Sequence, residues 1–134
     1  MVFYCNIIEE NGGYTVDFPD LPNIITLGYT KDEAVFNAAE ALNGALESDV
    51  ARGLLPPNPS YLEGIPVEIE PHIEIAIQLR TIRGNNTQSE IASRLGVPYQ
   101  SYQRLENPIK GNPSVKTLEK IARVFGKRLE IRMV

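Results

Sequence analysis

The first part of the chain alternates apolar and polar residues in the manner of β-strands. Residues 2–8 predict a first strand, and residues 14–18 predict a second, with Tyr14, Val16 and Phe18 on one face. Asn11-Gly12-Gly13 between them favours a hairpin turn. A third strand is predicted over residues 24–27 and a short fourth strand over residues 67–70.

Between the third and fourth strands the apolar spacing changes to that of a helix. Thr30 and Glu33 form a Thr-x-x-Glu capping box at its start, and Gly53 marks its end. The predicted buried stripe is Val35, Ala38, Ala39, Leu42, Ala45, Leu46 and Val50. A proline-rich connection, residues 54–66, leads to the last strand. The order βββαβ predicts an α+β fold with an all-α second half.

The second half has helical spacing throughout. Residues 74–83 predict one helix, and residues 87–105 predict two short helices joined by a tight turn. Ser114 is placed to cap a last helix, which Gly126 closes. The apolar stripe of that helix is Val115, Leu118, Ile121, Ala122 and Phe125. The two short helices have the layout of a helix-turn-helix, whose second helix enters a DNA major groove.

Local signals within residues 87–105 agree with that layout. Thr87 and Glu90 form a capping box, Ala92 allows close helix approach, and Gly96 can adopt the positive φ that ends the first helix. Val97 is expected to fill the corner between the helices. The side chains predicted to read bases are Tyr99, Gln100, Ser101, Gln103 and Arg104. The alternative is a helical hairpin that only packs, with its polar face in solvent.

Charge divides the chain in two. Residues 1–70 carry twelve acids and two bases, whereas residues 71–134 carry five acids and eleven bases, so that the overall −4 hides a basic half. Basic side chains of the second half, Arg83 and Lys110 among them, are available to neutralise phosphates. We therefore expect two small domains, 1–70 and 71–134, which gain part of their stability by assembly with copies of the chain, as a homodimer or higher oligomer, or with another protein.

Composition excludes several classes of protein. Cys5 is the only cysteine, so no disulfide or zinc spacing exists. No apolar run approaches the roughly 20 residues of a membrane span, and no secretory signal is present, which predicts a cytoplasmic protein.

Catalytic constellations are also lacking in the sequence pattern. The acids Asp17 and Asp20 lie apart from Glu68 and Glu70, and His72 has no second histidine or placed nucleophile. We expect no enzyme activity, no metal and no cofactor.

The last eight residues alternate like a half-buried strand. Leu129, Ile131 and Met133 are separated by charged residues, yet no sheet is predicted in the second half. We expect this strand to pair with its copy in a second subunit, which would place two recognition helices about one DNA turn apart on a palindromic operator. The alternative is that it folds back on its own domain.

Several segments of the first half resemble the N-terminal domain of HicB-type antitoxins. These are Gly13-Tyr14-Thr15-Val16-Asp17-Phe18-Pro19-Asp20-Leu21-Pro22, Asp32-Glu33-Ala34, Ala38-Ala39-Glu40-Ala41-Leu42 and Leu55-Pro56-Pro57-Asn58-Pro59-Ser60. The resemblance covers residues 2–70. It implies a partial ribonuclease H-like domain that binds the small RNA-cleaving toxin HicA, followed here by an operator-binding helix-turn-helix that represses its own operon.

The second half is similar to phage-repressor domains through Thr87-Gln88, Leu95-Gly96-Val97 and Leu105-Glu106-Asn107. That similarity implies a phosphate contact for Gln88, and the loop after the recognition helix adds Asn107 and Lys110. Repressors often carry glycine at the place of Pro108, which leaves the loop path open.

An acidic domain can steer towards a basic RNA-cleaving toxin and occlude its surface. The predicted toxin contacts are Asp17, Phe18, Asp20, Leu21, Tyr29, Asp32 and Glu33. The alternative is that Phe18 and Leu21 are core residues and the acids a solubilising face. The alternative function is a stand-alone helix-turn-helix regulator whose first domain senses a ligand or another protein.

Overall fold

The structure is a computed structural model that describes all 134 residues. It contains two compact units, Met1–Glu74 and Ile75–Val134. The division falls inside a helix, so that one continuous element begins in the first unit and ends in the second.

The first unit is an antiparallel sheet with one long helix. Its elements are β1 (Val2–Glu10), β2 (Gly13–Asp17), β3 (Ile25–Gly28), α1 (Lys31–Ala51) and β4 (Ile65–Glu68). The strand order in the sheet is β3-β2-β1-β4, and every pairing is antiparallel. The predicted βββαβ order and the α+β class are confirmed.

The two faces of this sheet differ. Phe3, Val16 and Val67 lie on the face covered by α1, where each is 5 % exposed or less. The strand register places Ile8 beside Thr15 and Thr15 beside Leu27 on the opposite face. Since side chains alternate between faces, the apolar positions of β1 and β2 on the covered face form the core of this unit.

Three boundaries near the end of the first unit were predicted wrongly. The fourth strand begins at Ile65, two residues earlier than predicted. The fourth strand ends at Glu68, because the amide of Glu70 donates to the side chain of Asn43 (2.7 Å) and not to a strand neighbour. The next helix, α2 (Pro71–Arg83), begins three residues earlier than predicted. Proline suits this first helical position because it has no amide hydrogen to leave unpaired.

The predicted core of α1 also needs correction. Val35 is 37 % exposed, whereas Ala34 and Asn43 are buried. Asn43 bonds to the backbone on either side of the end of β4, as donor to Glu68 (3.2 Å) and as acceptor from Glu70. Ile24 is not a strand residue, because its amide closes a turn onto Leu21 (3.0 Å).

The second unit is entirely helical. It holds the end of α2 and the helices α3 (Gln88–Leu95), α4 (Tyr99–Leu105) and α5 (Val115–Val124). One buried cluster joins them: Leu79, Ile91, Ala92, Tyr102 and Ile121, with Leu95, Leu105, Leu118 and Phe125 packed against it. Ser114 caps α5 through the amide of Thr117, as its position predicted.

The C-terminal residues 127–134 form no strand in this single chain. Leu129 is half-buried, and Ile131 and Met133 are 58 % and 98 % exposed. Pairing with a second copy therefore stays a prediction. No helix in either unit has both the length and the apolar content needed to cross a membrane.

Candidate functional site

The helix-turn-helix forms as its local signals predicted. The hydroxyl of Thr87 accepts the amide of Glu90 (3.1 Å) and so caps α3. Gly96 ends this helix with φ 72°, a left-handed conformation that glycine adopts without strain. The following amide, of Val97, donates to the carbonyl of Ala92 (3.0 Å), which fixes the turn into α4.

Helix α4 presents a polar surface. All five side chains predicted to read bases are exposed: Tyr99, Gln100, Ser101, Gln103 and Arg104. On the opposite face Tyr102 is fully buried and Leu105 half-buried. Val97 is 37 % exposed, so it is not the buried corner residue that was expected, whereas Tyr102 is buried in one cluster with Ile91 and Ala92. Glutamine and arginine side chains free on one face can donate and accept hydrogen bonds at base edges.

A buried carboxylate ties the unit together behind this surface. Glu106 follows α4, and only 4 % of its side chain is exposed. Arg83 of α2 donates two hydrogen bonds to it, from Nε at 2.7 Å and from Nη2 at 3.0 Å. Gln88 of α3 donates a third bond, at 3.1 Å. One carboxylate thus fixes the end of the recognition helix to both preceding helices.

The network corrects one predicted DNA contact and constrains another. The guanidinium of Arg83 is bound to Glu106 and to the carbonyl of Asn86 (2.9 Å), so it is not free to neutralise a phosphate. Gln88 donates to Glu106, and its Oε1 accepts the hydroxyl of Tyr99 at 3.4 Å. A phosphate contact by Gln88 would use its second amide hydrogen.

The contacts of Glu106 also shift the pKa values of two neighbouring groups, Tyr102 and Arg83. Burial raises the pKa of Tyr102, and the Glu106 carboxylate raises it further, so the hydroxyl stays protonated. The hydrogen bonds that Arg83 donates to the Glu106 carboxylate raise the pKa of Arg83, which stays charged at every accessible pH.

The loop after α4 turns tightly. The side-chain oxygen of Asn107 accepts the amides of Ile109 (2.9 Å) and Lys110 (3.1 Å), while Pro108 is buried beneath the turn. A Cβ on Gly111 would lie 2.3 Å from the carbonyl oxygen of Arg104, so only glycine fits there. Lys110 is exposed, and Asn107 keeps only its side-chain NH₂ group for a phosphate.

In the first unit, Asp20 has a structural role. Its carboxylate accepts the hydroxyl and amide of Ser60 (2.7 and 2.8 Å) and the amide of Tyr61 (3.0 Å). Tyr61 in turn donates its hydroxyl to Asn6 on β1 (2.7 Å). These bonds attach the proline-rich connection to the sheet and occupy an acid predicted to contact a partner.

The pKa of Asp20 is lowered, first by the hydroxyl of Ser60 and then by the amides of Ser60 and Tyr61. We expect Asp20→Asn to lower the free energy of unfolding at neutral pH. Because the folded pKa lies below the unfolded one, this difference is complete above the unfolded value of about 4 and shrinks as the pH falls through the folded value. Urea unfolding of both proteins across acidic pH checks this; a difference that does not depend on pH would contradict it.

The other residues predicted to contact the toxin differ in how far they are buried. Phe18 is 1 % exposed and belongs to the core, so it cannot contact a partner, and Leu21 is half-buried. Asp17, Tyr29, Asp32 and Glu33 are exposed. The first unit also exposes large apolar side chains that were not predicted as contacts: Ile8, Ile25, Leu27 and Phe36, between 53 % and 71 % exposed. The alternation of faces along the third strand would have predicted that Ile25 points to solvent, and the position of Phe36 outside the apolar stripe of the helix would have predicted the same for Phe36.

No three His, Cys, Asp or Glu side chains lie close enough together to hold a metal ion. His72 faces two carboxylates, with Nε2 2.6 Å from Glu47 and Nδ1 3.5 Å from Glu70. The contact with Glu47 joins the start of α2 to α1.

Comparison with known proteins matches both units. The family described as HicB_like antitoxin of bacterial toxin-antitoxin system matches residues 4–80, and the helix-turn-helix family matches residues 77–131. Antitoxin HicB of Escherichia coli K12 is 32 % identical over 127 residues, covering 92 % of this chain and 91 % of the relative. Antitoxin HicB 1 of Photorhabdus laumondii is 30 % identical over 125 residues, covering 91 % and 79 %. Antitoxin HicB 2 of the same organism is 28 % identical, covering 92 % and 89 %.

Proposed function

The chain belongs to the HicB-like family of antitoxins, which are not enzymes, and from this premise we propose that it neutralises a small HicA-like mRNA-cleaving toxin and represses its own operon. The acidic first unit binds the toxin, and the basic helix-turn-helix unit binds operator DNA. Both activities belong in the cytoplasm, where mRNA and the operon are found. The observation that carries the proposal is this pairing, in one chain, of an acidic antitoxin domain with an exposed DNA-reading helix.

Toxin neutralisation is tested by RNA cleavage. A toxin that cleaves RNA must hold phosphates and so presents basic groups, which an acidic unit attracts and covers. The purified toxin encoded beside this chain should lose its RNA-cleaving activity when the chain is added in excess. Cleavage that persists at saturating concentrations of the chain would reject the proposal.

Base reading is assigned to α4 and phosphate contact to the loop that follows. Arg104→Ala should cost about 1–3 kcal/mol on the cognate operator and less on random DNA, because an arginine that pairs with guanine discriminates between sequences. Lys110→Ala should weaken both complexes alike. Titration of labelled operator and random duplexes measures the four affinities. Equal losses on both duplexes for Arg104→Ala would remove it from base recognition.

Two finer features complete the proposal. The tail strand with Leu129, Ile131 and Met133 pairs with its copy in a second subunit, and the dimer reads a palindromic operator with one recognition helix per half-site. The first unit is a partial ribonuclease H-like fold without its metal chemistry. The exposed tail side chains support the first feature, and the helix-covered sheet is compatible with the second.

A further inference from the structure

Helix α1 carries an exposed aromatic ring within a group of acids. Phe36 is 64 % exposed on the outer face of the helix. Asp32 and Glu33 precede it by four and three residues, and Glu40 follows it by four. Residues at these spacings are neighbours on a helix surface, with Cβ atoms about 5–6 Å apart. All three acids are exposed, and none forms a salt bridge within the chain.

An exposed phenylalanine has a cost in water unless a partner covers it. The inner face of α1 supplies the core through Ala38 and Leu42, and Phe36 is not part of that core. The same face of a second copy is a poor partner for this face, because acids would then meet acids. The complementary partner is a cationic surface that also accepts a flat aromatic ring.

A surface that binds single-stranded RNA has those two properties. It combines basic groups for phosphates with side chains against which bases stack, and arginine serves both purposes. We propose that Phe36, with Asp32, Glu33 and Glu40 around it, imitates a nucleobase between phosphates and occupies the RNA-binding surface of the toxin. This inference rests on the proposed toxin binding and adds where it occurs and why it stops cleavage: the chain and RNA compete for one surface.

Another exposed apolar group of the first unit lacks this ring of charge. Ile25 and Leu27 lie on the uncovered sheet face, where the register places neutral Thr15 beside Leu27 and a single acid, Asp17, beside Ile25. The side-chain amide of Asn37 also donates a hydrogen bond to the carbonyl of Leu27 (2.8 Å). Because β3 is an edge strand, this bond leaves one carbonyl fewer for pairing with another chain. Ile25→Ser is therefore a suitable comparison variant, since it removes an equally exposed apolar side chain from a site without the charge pattern.

The test uses the full chain and the purified toxin, in an active form for RNA cleavage and an inactive form for binding. Phe36→Ala should raise the Kd for the toxin about tenfold or more, as loss of a central aromatic anchor does. The triple variant Asp32→Asn, Glu33→Gln, Glu40→Gln should slow association about tenfold at low salt and flatten its salt dependence. The charge-matched triple variant Glu9→Gln, Glu10→Gln, Glu63→Gln, whose acids are exposed elsewhere in the unit, should change association by less than about threefold.

Competition with RNA separates the possible outcomes. A short single-stranded RNA should displace the wild-type chain from inactive toxin. Because every substitution lies in the first unit, urea unfolding followed by circular dichroism should give the wild-type transition for each variant, which shows that this unit is folded. If the wild-type chain inhibits the toxin but Phe36→Ala and the α1 triple variant inhibit equally well, or Ile25→Ser alone loses binding, the mimicry is wrong while the antitoxin function stands. If RNA fails to compete, the mimicry is also wrong. If the wild-type chain does not bind the toxin, both proposals fail.

Discussion

Glu106→Ala should lower the free energy of unfolding of the second unit by about 3 kcal/mol and abolish operator binding at ordinary protein concentrations. The substitution leaves the guanidinium of Arg83, whose side chain is only 17 % exposed, without its partner. It also removes the acceptor for Gln88. Removing one member of a buried ion pair costs more than the pair contributes, because the remaining charge has lost its water as well as its partner. A loss of this size is a large fraction of the free energy of unfolding of a small domain.

Glu119→Ala is the matched control. Glu119 also pairs with an arginine, Arg123 at 2.6 Å, but the two side chains are 52 % and 74 % exposed. Exposed pairs four apart on a helix contribute about 0.3–0.5 kcal/mol, so this variant should unfold almost like the wild type. Urea unfolding of the full chain, followed with operator titration, compares the two. Similar losses for both variants would show that burial of Glu106 is not what makes its pair important.

A chain ending at Gly126 should be monomeric and should bind its operator at least about 100-fold more weakly. A dimer that places two recognition helices on two half-sites gains this factor because the second contact is made within one complex. Removing residues 127–134 removes the apolar side chains Leu129, Ile131 and Met133 that we propose pair between subunits. Sedimentation equilibrium and operator titration at one salt concentration measure the two effects.

The tail also carries basic residues, so its charge needs a separate control. Arg128→Gln with Arg132→Gln in the full-length chain removes two charges and keeps the apolar positions, and it should remain dimeric with only a modest loss of affinity. Leu129→Asp with Ile131→Asp keeps the arginines and should dissociate the dimer. A shortened chain that stays dimeric and binds unchanged would show that dimerisation lies elsewhere.

Signals that lie close together in the sequence predicted this molecule well. Thr30, Thr87 and Ser114 each cap a helix through the amide three residues on, and Gly96 adopts the left-handed conformation that its place after a helix required. The order of elements and the polar outer face of α4 follow from periodicity alone. Such features depend on contacts between residues a few positions apart, which a single sequence displays directly.

The features that were missed depend on contacts between distant residues. Asp20 and Ser60 are 40 positions apart, Arg83 and Glu106 are 23 apart, and Asn43 and Glu70 are 27 apart. In each pair a polar or charged side chain forms a hydrogen bond with a distant residue, and the periodicity of the sequence cannot identify that residue. Arg83 was therefore assigned to DNA and Asp20 to the toxin, whereas the structure uses both to hold its own segments together.

The salt dependence of operator binding by the full-length chain tests the central claim most directly, because that claim assigns DNA to the basic unit of an acidic protein. We predict specific binding whose affinity falls by at least about a thousandfold between about 50 and 200 mM salt, as expected when six or more phosphates are neutralised. Binding to a random duplex should be weaker at each salt concentration. An affinity for its own promoter that does not change with salt, or that a random duplex matches, would contradict the account.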